Sequence, residues 1–362
     1  MAEIFHCKSN RLLIYFLRKI NVFDITMVFM EVYMIEKTDH YNLLKFFATI
    51  LVVVAHSSRM YTGEGVVNPA NPSLVLDYLT KFIYSFHMPL FIAISGMVYG
   101  FCIENLGKYN NSFKFIKNKV VRLLIPFIFF GFFYVAPVMV LCGFTESSYF
   151  SYCVNGIILV KNSRHLWYLT VLFEIFVATI VVKPIIQKKN IFIDVSVIVV
   201  LLVISIFSYK LPGIFQISNF GYYLLYFYLG YYFNRYYETL IKVIRNPICI
   251  IVMFVITVVT YNYSHVIIKI LKALTGSLFF VGVTSHINKA FMTKRFVIMM
   301  NKDGFGIYLF HPMIIYVLYY CLGSKNVNPI VLCFGIAIVA YLLSVVFTEI
   351  FRKVHLGIVM GE

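Results

Sequence analysis

Long apolar runs dominate the hydrophobic pattern of this chain. A run of ~20 apolar residues, as a helix, is long enough to cross the hydrocarbon core of a bilayer. Inside lipid every backbone N–H and C=O group needs an internal partner, so such runs are predicted to be helices. The runs lie at about residues 42–60, 80–102, 119–141, 165–183, 191–209, 215–233, 247–263, 266–286, 304–322 and 329–351. The pattern therefore predicts an all-α integral membrane protein, a bundle of about ten transmembrane helices.

The composition excludes a soluble domain. The 362 residues are 61% hydrophobic and only 13% charged, which is too little charge to cover a water-exposed surface. The seven cysteines show no CxxC or other metal-ligand spacing, so no metal site is predicted.

The distribution of lysine and arginine sets the orientation. Of 31 such residues, 23 fall before the first run, after every second run and in the tail, whereas 8 fall in the loops between. Because positive residues concentrate in cytoplasmic loops, both termini are predicted to be cytoplasmic. The bias also accounts for the net charge of +16 without a nucleic-acid partner, and a basic inner face suits anionic membrane lipid.

Residues 1–36 precede the first span and have a different pattern. Apolar residues there are interrupted by charges such as Arg18, Asp24 and Glu31, as in an interfacial amphipathic helix. Alternatively, Met34 is the true start of translation. We therefore divide the chain into an N-terminal extension, residues 1–36, and a transmembrane domain, residues 37–362.

The first span carries the most ionisable chemistry. Ionisable residues within a membrane are costly and are functional hypotheses by default. Lys45 and His56 are eleven residues apart, so a helix places them on one face, roughly 16 Å apart along its axis. Arg59 follows at the outer end, and His87, two turns into the second span, is predicted at a depth similar to that of His56. A histidine with no role beyond the interface or the core is the alternative for both positions.

Five local sequences occur in order along the spans. They are a basic residue eleven before a histidine (Lys45, His56), Pro89-Leu-Phe with Ser95-Gly96, Lys119-x-x-Arg122 before Pro126, His165-Leu-Trp-Tyr-Leu, and Ile307-Tyr with His311-Pro. From about Lys37 to Glu349 the chain resembles the membrane acyltransferase 3 family, which O-acylates polysaccharides and related glycans. The Phe-His-Met-Pro-Leu-Phe stretch most resembles the sugar O-acetylase branch (fucose O-acetylase-like), whose members act on capsule or exopolysaccharide.

The resemblance implies particular roles. His56 matches the essential histidine of the family, which is proposed to be a general base. Lys45 matches a position where many members have arginine, and Lys119 with Arg122 matches a basic pair. Lysine replaces arginine at positions 45 and 119, and Asn42 replaces a frequent carboxylate; lysine keeps the charge but loses the bidentate fork.

The resemblance also implies an acyl-CoA donor, acetyl-CoA by default, and a cell-surface polysaccharide or its lipid-linked precursor as acceptor. The expected location is a bacterial plasma membrane, as a multi-pass protein that can work within a polysaccharide-synthesis complex.

The residues fit a mechanism of this kind. Lys45, Lys119 and Arg122 would start their helices at the cytoplasmic side and hold the phosphates of coenzyme A, although ordinary positive-inside charge is the alternative. His56 would take the proton of a sugar hydroxyl, since the unperturbed pKa of histidine, ~6.5, is near the operating pH. A covalent route through Ser57 or Ser58 is the less favoured alternative.

Three further residues are possible supports. Glu174, within the fourth span, is expected either to pair with a proton or charge or to be a neutral structural carboxyl. Trp167 indicates an aromatic belt at the outer interface, with sugar stacking as the alternative. His311 is expected about two turns from the cytoplasmic side, too far to share an atom with His56, where it would line the coenzyme cavity or pair with Glu349.

Two other classes remain open from the sequence. A polytopic transporter or flippase for a glycan or lipid-linked intermediate fits the span count, but no pair of Gly/Pro-broken helices in corresponding halves indicates inverted repeats. A non-enzymatic scaffold of a polysaccharide-synthesis complex is the other. Thioester turnover distinguishes both from an acyltransferase.

Overall fold

The computed structural model describes the backbone of residues 22–287, 291 and 295–362, and the side chains from Lys37 onward in these ranges except at 295 and 296. The described residues form helices joined by loops, without a strand, which confirms the all-α prediction. The predicted extension, residues 1–36, lies outside the described residues except for the backbone of 22–36, which is helical.

Within the described ranges, a long helical segment corresponds to each predicted run. These segments are α1 (Val22–Ser58), α2 (Leu74–Asn105), α3 (Ser112–Leu141), α4 (Arg164–Ile186), α5 (Ile191–Lys210), α6 (Ile217–Arg235), α7 (Tyr237–Ile244 with Pro247–Thr260), α8 (Val266–Thr284), α9 (Arg295–Leu322) and α10 (Pro329–Lys353).

Eight of these segments are long and apolar enough to cross a membrane, or nine if the bent α7 is one span, in the part of the chain described. The multi-pass architecture is thus confirmed, with fewer clear spans than the ten predicted. The exception is α6, whose 19 residues would extend roughly 28 Å but include many tyrosines. Its Tyr226, Phe227 and Tyr228 are 1% exposed or less. Since neighbouring helices cover it, α6 needs no strongly apolar surface toward lipid.

Two segments are broken. In α2 the helix is interrupted at Phe86, whose φ is −139°, and restarts at His87. The two parts of α7 meet at 77°, because Pro247 starts the second part and has no N–H to continue the first. The Asn246 side chain caps the restarted helix by accepting from Ile248 N at 2.9 Å. The break in α2 places a histidine at a helix start inside the bundle.

Glycines allow α2 and α6 to pack closely. A Cβ on Gly96 would lie 1.9 Å from the carbonyl oxygen of Phe227, and one on Gly230 would lie 2.0 Å from that of Ala93. Small residues let membrane helices approach backbone to backbone in this way. On the other side, α1 packs against α2, α8, α9 and α10. The polar residues of α1 therefore lie in the interior of the bundle.

A fully paired ion cluster joins α6 to α2 and α5. Arg235 donates to Glu104 (Nη2–Oε1, 2.5 Å) and to Asp194 (Nη1–Oδ2, 2.7 Å). The Tyr236 hydroxyl also donates to Asp194 at 2.7 Å. The three charged side chains are 2–11% exposed. We refer to these four residues as the Arg235 cluster.

Candidate functional site

A cavity of about 850 Å³ lies between α1, α2, α3, α4, α6 and α9, a size typical of small-molecule sites. Cations line both of its ends. We call the end with Lys45, Lys119, Arg122 and Lys302 the inner mouth, and the end with Arg59, Lys161 and Arg164 the outer mouth, after their predicted sides of the membrane. Lys45 and Arg59 are fourteen residues apart along α1 and the turn after it, roughly 21 Å.

The inner mouth brings together the three residues that the sequence assigns to phosphate binding. Lys45 of α1 and both Lys119 and Arg122 of α3 line the cavity, and Lys302 of α9 joins them. Arg122 lies in a π-helical turn, Val120–Leu124, a feature frequent at functional sites. Within the described ranges, Lys45, Lys119 and Arg122 form no salt bridge. Their charge is thus available to an anionic ligand.

Lys119 also has aromatic neighbours. Its Nζ lies 3.7 Å from the ring centroid of Phe176, 5.3 Å from that of Phe115 and 5.5 Å from that of Tyr109. Such cation–π contacts hold an ammonium group without a carboxylate. Lys119 therefore has a packing role of its own, whereas Lys45 and Arg122 are the cleaner probes of ligand binding.

The carboxylate at the inner mouth is neutralised by a residue outside the cavity. Glu362 accepts from Arg352 Nε at 2.8 Å, and this contact holds the pKa of its carboxyl below the usual value. Arg352 also pairs with Asp303 and, at 2.6 Å, with Glu349. The predicted pairing of His311 with Glu349 is therefore wrong, because Glu349 binds Arg352 instead.

His56 lines the cavity from the last turn of α1, three residues before Arg59 and therefore toward the outer mouth. Its ring centroid lies 5.1 Å from that of His311 and 6.3 Å from that of Tyr84. The Tyr84 ring lies 4.6 Å from that of His87, which lines the same cavity. The structure therefore places His56 between His311 and Tyr84, and it places His87 against the same tyrosine.

The predicted depth of His311 is wrong. The sequence placed the start of its helix at residue 304, but α9 begins at Arg295. Sixteen residues of helix, roughly 24 Å, then separate His311 from the start of α9. It lies at the depth of His56 and is fully buried behind it.

Backbone carbonyls fix the proton on three histidine rings of the site. Nδ1 of His87 lies 3.0 Å from the Ile83 oxygen. Nδ1 of His311 lies 2.7 Å from the Ile307 oxygen, and Nε2 of His165 lies 3.2 Å from the Leu309 oxygen. Because a carbonyl can only accept, each of these nitrogens carries a hydrogen. In the neutral rings the lone pairs are then on Nε2 of His311 and Nδ1 of His165.

We refer to His56, His87, His165 and His311 as the histidine cluster. Three nitrogens of this cluster have no hydrogen-bond partner among the described residues: Nδ1 of His56, Nδ1 of His165 and Nε2 of His311. All three nitrogens are buried. Because Nδ1 of His56 is one of them, Nε2 is the nitrogen of His56 that faces the cavity. In the described part of the chain, no group of three His, Cys, Asp or Glu side chains could hold a metal ion.

Sequence reasoning used His165 only as a landmark and missed it as a site residue. Its ring lies 6.2 Å from that of His311, and the Tyr308 hydroxyl donates to its carbonyl oxygen. The starts of two landmarks, His165-Leu-Trp and Ile307-Tyr308, thus meet in space. The motifs were visible in the sequence, but nothing in it showed that they touch.

Trp167 and Tyr168 line the cavity, where Trp167 stacks on Tyr223 with ring centroids 5.1 Å apart at 29°. This wall position differs from the aromatic belt that we expected. Glu174 does not line the cavity, and its Oε2 has no hydrogen-bond partner in the described ranges. The structure therefore does not bring Glu174 to the site.

Ser57 and Ser58 are buried outside the cavity wall. Ser57 Oγ donates to the Cys333 oxygen at 2.8 Å, and Ser58 Oγ accepts from Thr80 Oγ1 at 2.7 Å. Both side chains are 0% exposed. Neither hydroxyl is positioned to attack a ligand, which disfavours the covalent route.

These features define a class of protein: a multi-pass helical membrane protein with an internal cavity lined by histidines and by cations at both ends. Comparison with protein families is more specific. Residues 39–349 match the Acyltransferase domain of the acyltransferase 3 family, and with most of the chain matched, the protein belongs to this family.

Curated relatives bear a different kind of name. Proteins of Staphylococcus aureus strains MSSA476 and MW2, each named "probable poly-beta-1,6-N-acetyl-D-glucosamine export protein", are 22% identical over 295 residues. The alignment covers 73% of this chain and 79% of each relative. No solved structure matches the chain.

Proposed function

We propose that this protein is a membrane O-acyltransferase. It moves an acyl group, acetyl by default, from acyl-CoA at the inner mouth to a hydroxyl of a cell-surface polysaccharide or its lipid-linked precursor at the outer mouth. The observation that carries the proposal is that one cavity is lined by His56 toward its outer mouth and by Lys45, Lys119 and Arg122 at its inner mouth. A donor and an acceptor that enter from opposite ends would meet at His56.

The spacing suits a donor whose charged part is remote from its reacting part. Lys45 and His56 are eleven residues apart on one helix face, roughly 16 Å. Lysine binds phosphate as a point charge, and arginine binds it as a fork. Acyl-CoA has this shape, since a long pantetheine arm separates its phosphates from its thioester.

The chemistry needs one base and no covalent intermediate. The acceptor oxygen attacks the thioester carbonyl, a C–O bond forms, and the C–S bond breaks. Nε2 of His56 takes the hydroxyl proton and returns it to the departing sulfur, so that coenzyme A leaves as a free thiol. General base catalysis of this kind contributes ~10²- to 10⁴-fold to the rate.

His311 would orient His56. Because Nδ1 of His311 is held by the Ile307 carbonyl, its Nε2 can only accept in the neutral ring. In the structure this nitrogen and Nδ1 of His56 have no partner among the described residues, and the two ring centroids are 5.1 Å apart. We propose that the two rings draw together when substrate binds, so that Nδ1–H of His56 donates to His311. The lone pair of His56 is then on Nε2, where the acceptor hydroxyl would lie. This is the role that the third member of a catalytic triad has toward its histidine.

The acceptor class follows from the relatives and the outer mouth. The relatives are named for a polysaccharide, and the stacked Trp167 and Tyr223 offer aromatic surface on which a sugar ring can lie. The setting that we propose is the plasma membrane of a bacterium, next to enzymes that make or export the glycan.

Release of free thiol tests the proposal. The full chain in lipid nanodiscs is supplied with acetyl-CoA and a polysaccharide acceptor. We expect His56→Ala to reduce thiol release by ~10²- to 10⁴-fold. His265→Ala is the matched control, because His265 is exposed and outside the cavity wall. Full release by a correctly folded His56→Ala protein would contradict the mechanism.

Glycan export is the second candidate, favoured by the name of the relatives and by a cavity that has cations at both mouths. In proteoliposomes, an exporter would move labelled poly-β-1,6-N-acetylglucosamine oligomers across the bilayer without acyl donor, and His56→Ala would leave that movement intact. If the protein transports the oligomers and releases no thiol, it is an exporter and the acyltransferase proposal is wrong.

A further inference from the structure

The arginines on the predicted outer side are concentrated at the cavity. That side has two arginines, Arg59 and Arg164, and both line the outer mouth. Other outer cations have partners elsewhere: Lys81 binds Asp77 at 2.8 Å, and Lys272 donates to backbone carbonyls at 2.6 and 2.9 Å. The arginines are thus placed where a ligand would reach them.

Both guanidinium groups lie near one phenol of the cavity wall, that of Tyr316. Arg59 Cζ is 5.4 Å from the ring centroid of Tyr84, whose ring is next to that of His56. Arg164 directly precedes His165, the ring of which neighbours His311. Both arginines interact electrostatically with the Tyr316 phenol. Two guanidinium groups therefore approach the same part of the cavity on the outer side of His56.

The protein itself supplies little negative charge to these arginines. The Glu64 carboxylate is 3.9 Å from Arg59, and its side chain is 80% exposed, so water weakens this pair. Within the described residues, Arg164 forms no salt bridge, and its Nε is buried without a hydrogen-bond partner. An anionic ligand would meet charge that is not already neutralised.

The rim of the outer mouth is held in a strained conformation. Val160, Arg164, Phe215 and Gln216 have φ values of 52°, 51°, 53° and 59°, in the left-handed region that a β-branched valine in particular avoids. Two contacts tie the strained loops together: Phe215 N donates to Leu159 O at 2.9 Å, and Gln216 Nε2 donates to Val160 O at 2.5 Å. Strained backbone that the surrounding structure maintains is typical of ligand clamps.

We propose that the outer mouth binds an anionic group, a carboxylate or a phosphate, that the acceptor carries close to the hydroxyl to be acylated. Arginine matches either group because its planar fork makes two parallel N–H···O bonds. The substrate class is then an acidic glycan, not a neutral polymer such as the one for which the relatives are named. The assignment to an acceptor rests on the proposed function; the anion site itself does not.

Binding without donor tests the site. The full chain in nanodiscs is titrated with three tetrasaccharides: neutral β-1,6-linked N-acetylglucosamine, the same oligomer with a terminal 6-phosphate, and alternating glucuronate and N-acetylglucosamine. We expect at least one acidic probe to bind 10-fold or more tightly than the neutral probe. Arg59→Gln and Arg164→Gln should each remove most of this difference, whereas Lys325→Gln, an exposed outer cation away from the cavity, should retain it.

Several results would overturn the proposal. Equal affinity for neutral and acidic probes would do so, as would inorganic phosphate binding as tightly as the phosphorylated sugar, since the site would then be a free-ion site. If Arg164→Gln impairs turnover of succinyl-CoA but not of acetyl-CoA with every acceptor, the anion belongs to the acyl group. Should a Gln variant fail to fold, the Arg→Lys variant, which keeps the charge but loses the fork, is expected to bind the acidic probe more weakly than wild type.

The outcome is separable from that of the proposed function. If the protein binds acidic probes preferentially but releases no thiol, the anion site is supported and the acyltransferase proposal is contradicted. If thiol release depends on His56 but acidic and neutral probes bind equally, the acyltransferase proposal is supported and the anion site is contradicted.

Discussion

The Arg235 cluster and the cavity are both buried polar regions, but they treat charge in opposite ways. In the Arg235 cluster one arginine meets two carboxylates at hydrogen-bond distance, and a tyrosine hydroxyl donates to one of these carboxylates. Along the cavity, cations outnumber carboxylates and several histidine nitrogens lack partners among the described residues. Charged groups that are paired within the protein hold helices together, whereas groups without such partners are available to bind a ligand. Substitutions in the first region should therefore affect stability, and those in the second should affect activity.

The largest effect is expected at Arg235. Arg235→Gln would leave Glu104 and Asp194 buried without their cation, which typically costs ~3–5 kcal/mol. We expect a large loss of folded protein, measured as thermal unfolding and as yield of monodisperse protein in detergent.

Arg245→Gln is the control, because Arg245 is exposed on the same predicted side of the membrane. If the Arg235→Gln protein were as stable as wild type, the Arg235 cluster would not stabilise the fold. The contrast with the cavity would then be wrong for the Arg235 cluster.

The next effect is expected at His311, and it should be on rate. His311→Ala removes the acceptor proposed to orient His56, so we expect a ~10²-fold loss of kcat with little change in the KM for acetyl-CoA. Among the described residues the ring is hydrogen-bonded to a carbonyl of its own helix and to no other helix, so the loss of stability should be small by comparison with Arg235→Gln.

A second substitution separates positioning from packing at this residue. His311→Gln keeps an oxygen that can accept from His56, and we expect it to restore part of the lost kcat. If His311→Ala and His311→Gln were equally inactive and equally destabilised, His311 would only be part of the core.

The smallest effect is expected at the inner mouth, on donor affinity. Lys45→Ala and Arg122→Ala should each weaken coenzyme A binding by ~10-fold, about the value of one charge-assisted hydrogen bond, without lowering thermal stability. Calorimetric titration in nanodiscs measures this. Lys117→Ala is the control, since Lys117 is on the same helix but outside the cavity wall. Unchanged affinity in both cavity variants would remove the phosphate assignment.

The length and position of the apolar runs were sufficient to predict most of the fold. The run at 165–183, for example, corresponds to Arg164–Ile186. The start of α9 was missed because Asn301 and Asp303 look like loop residues. In the structure Asn301 donates to the Asn42 oxygen at 3.1 Å, and Asp303 pairs with Arg352. These partners come from distant parts of the chain, and they let polar residues extend the helix.

The site was predictable where it depends on one helix. The eleven-residue spacing put Lys45 and His56 on one face, and both line the cavity. The contact of His165 with α9 was not predictable, because it depends on how two helices pack. Nor did the sequence indicate the left-handed backbone of Arg164, because arginine is not among the residues that favour a positive φ.

The glycine contact between α2 and α6 has a consequence for how substrates enter. A methyl group on Gly96 would lie 1.9 Å from a backbone oxygen of α6, and one on Gly230 would lie 2.0 Å from a backbone oxygen of α2. The two backbones are therefore already in contact, and the helices cannot slide past one another without collision. They form a fixed wall of the cavity, with Tyr84, His87 and Tyr223 on it. Whatever widening admits a bulky donor or glycan must therefore come from the opposite wall, where α3 has its π-helical turns and α9 its proline.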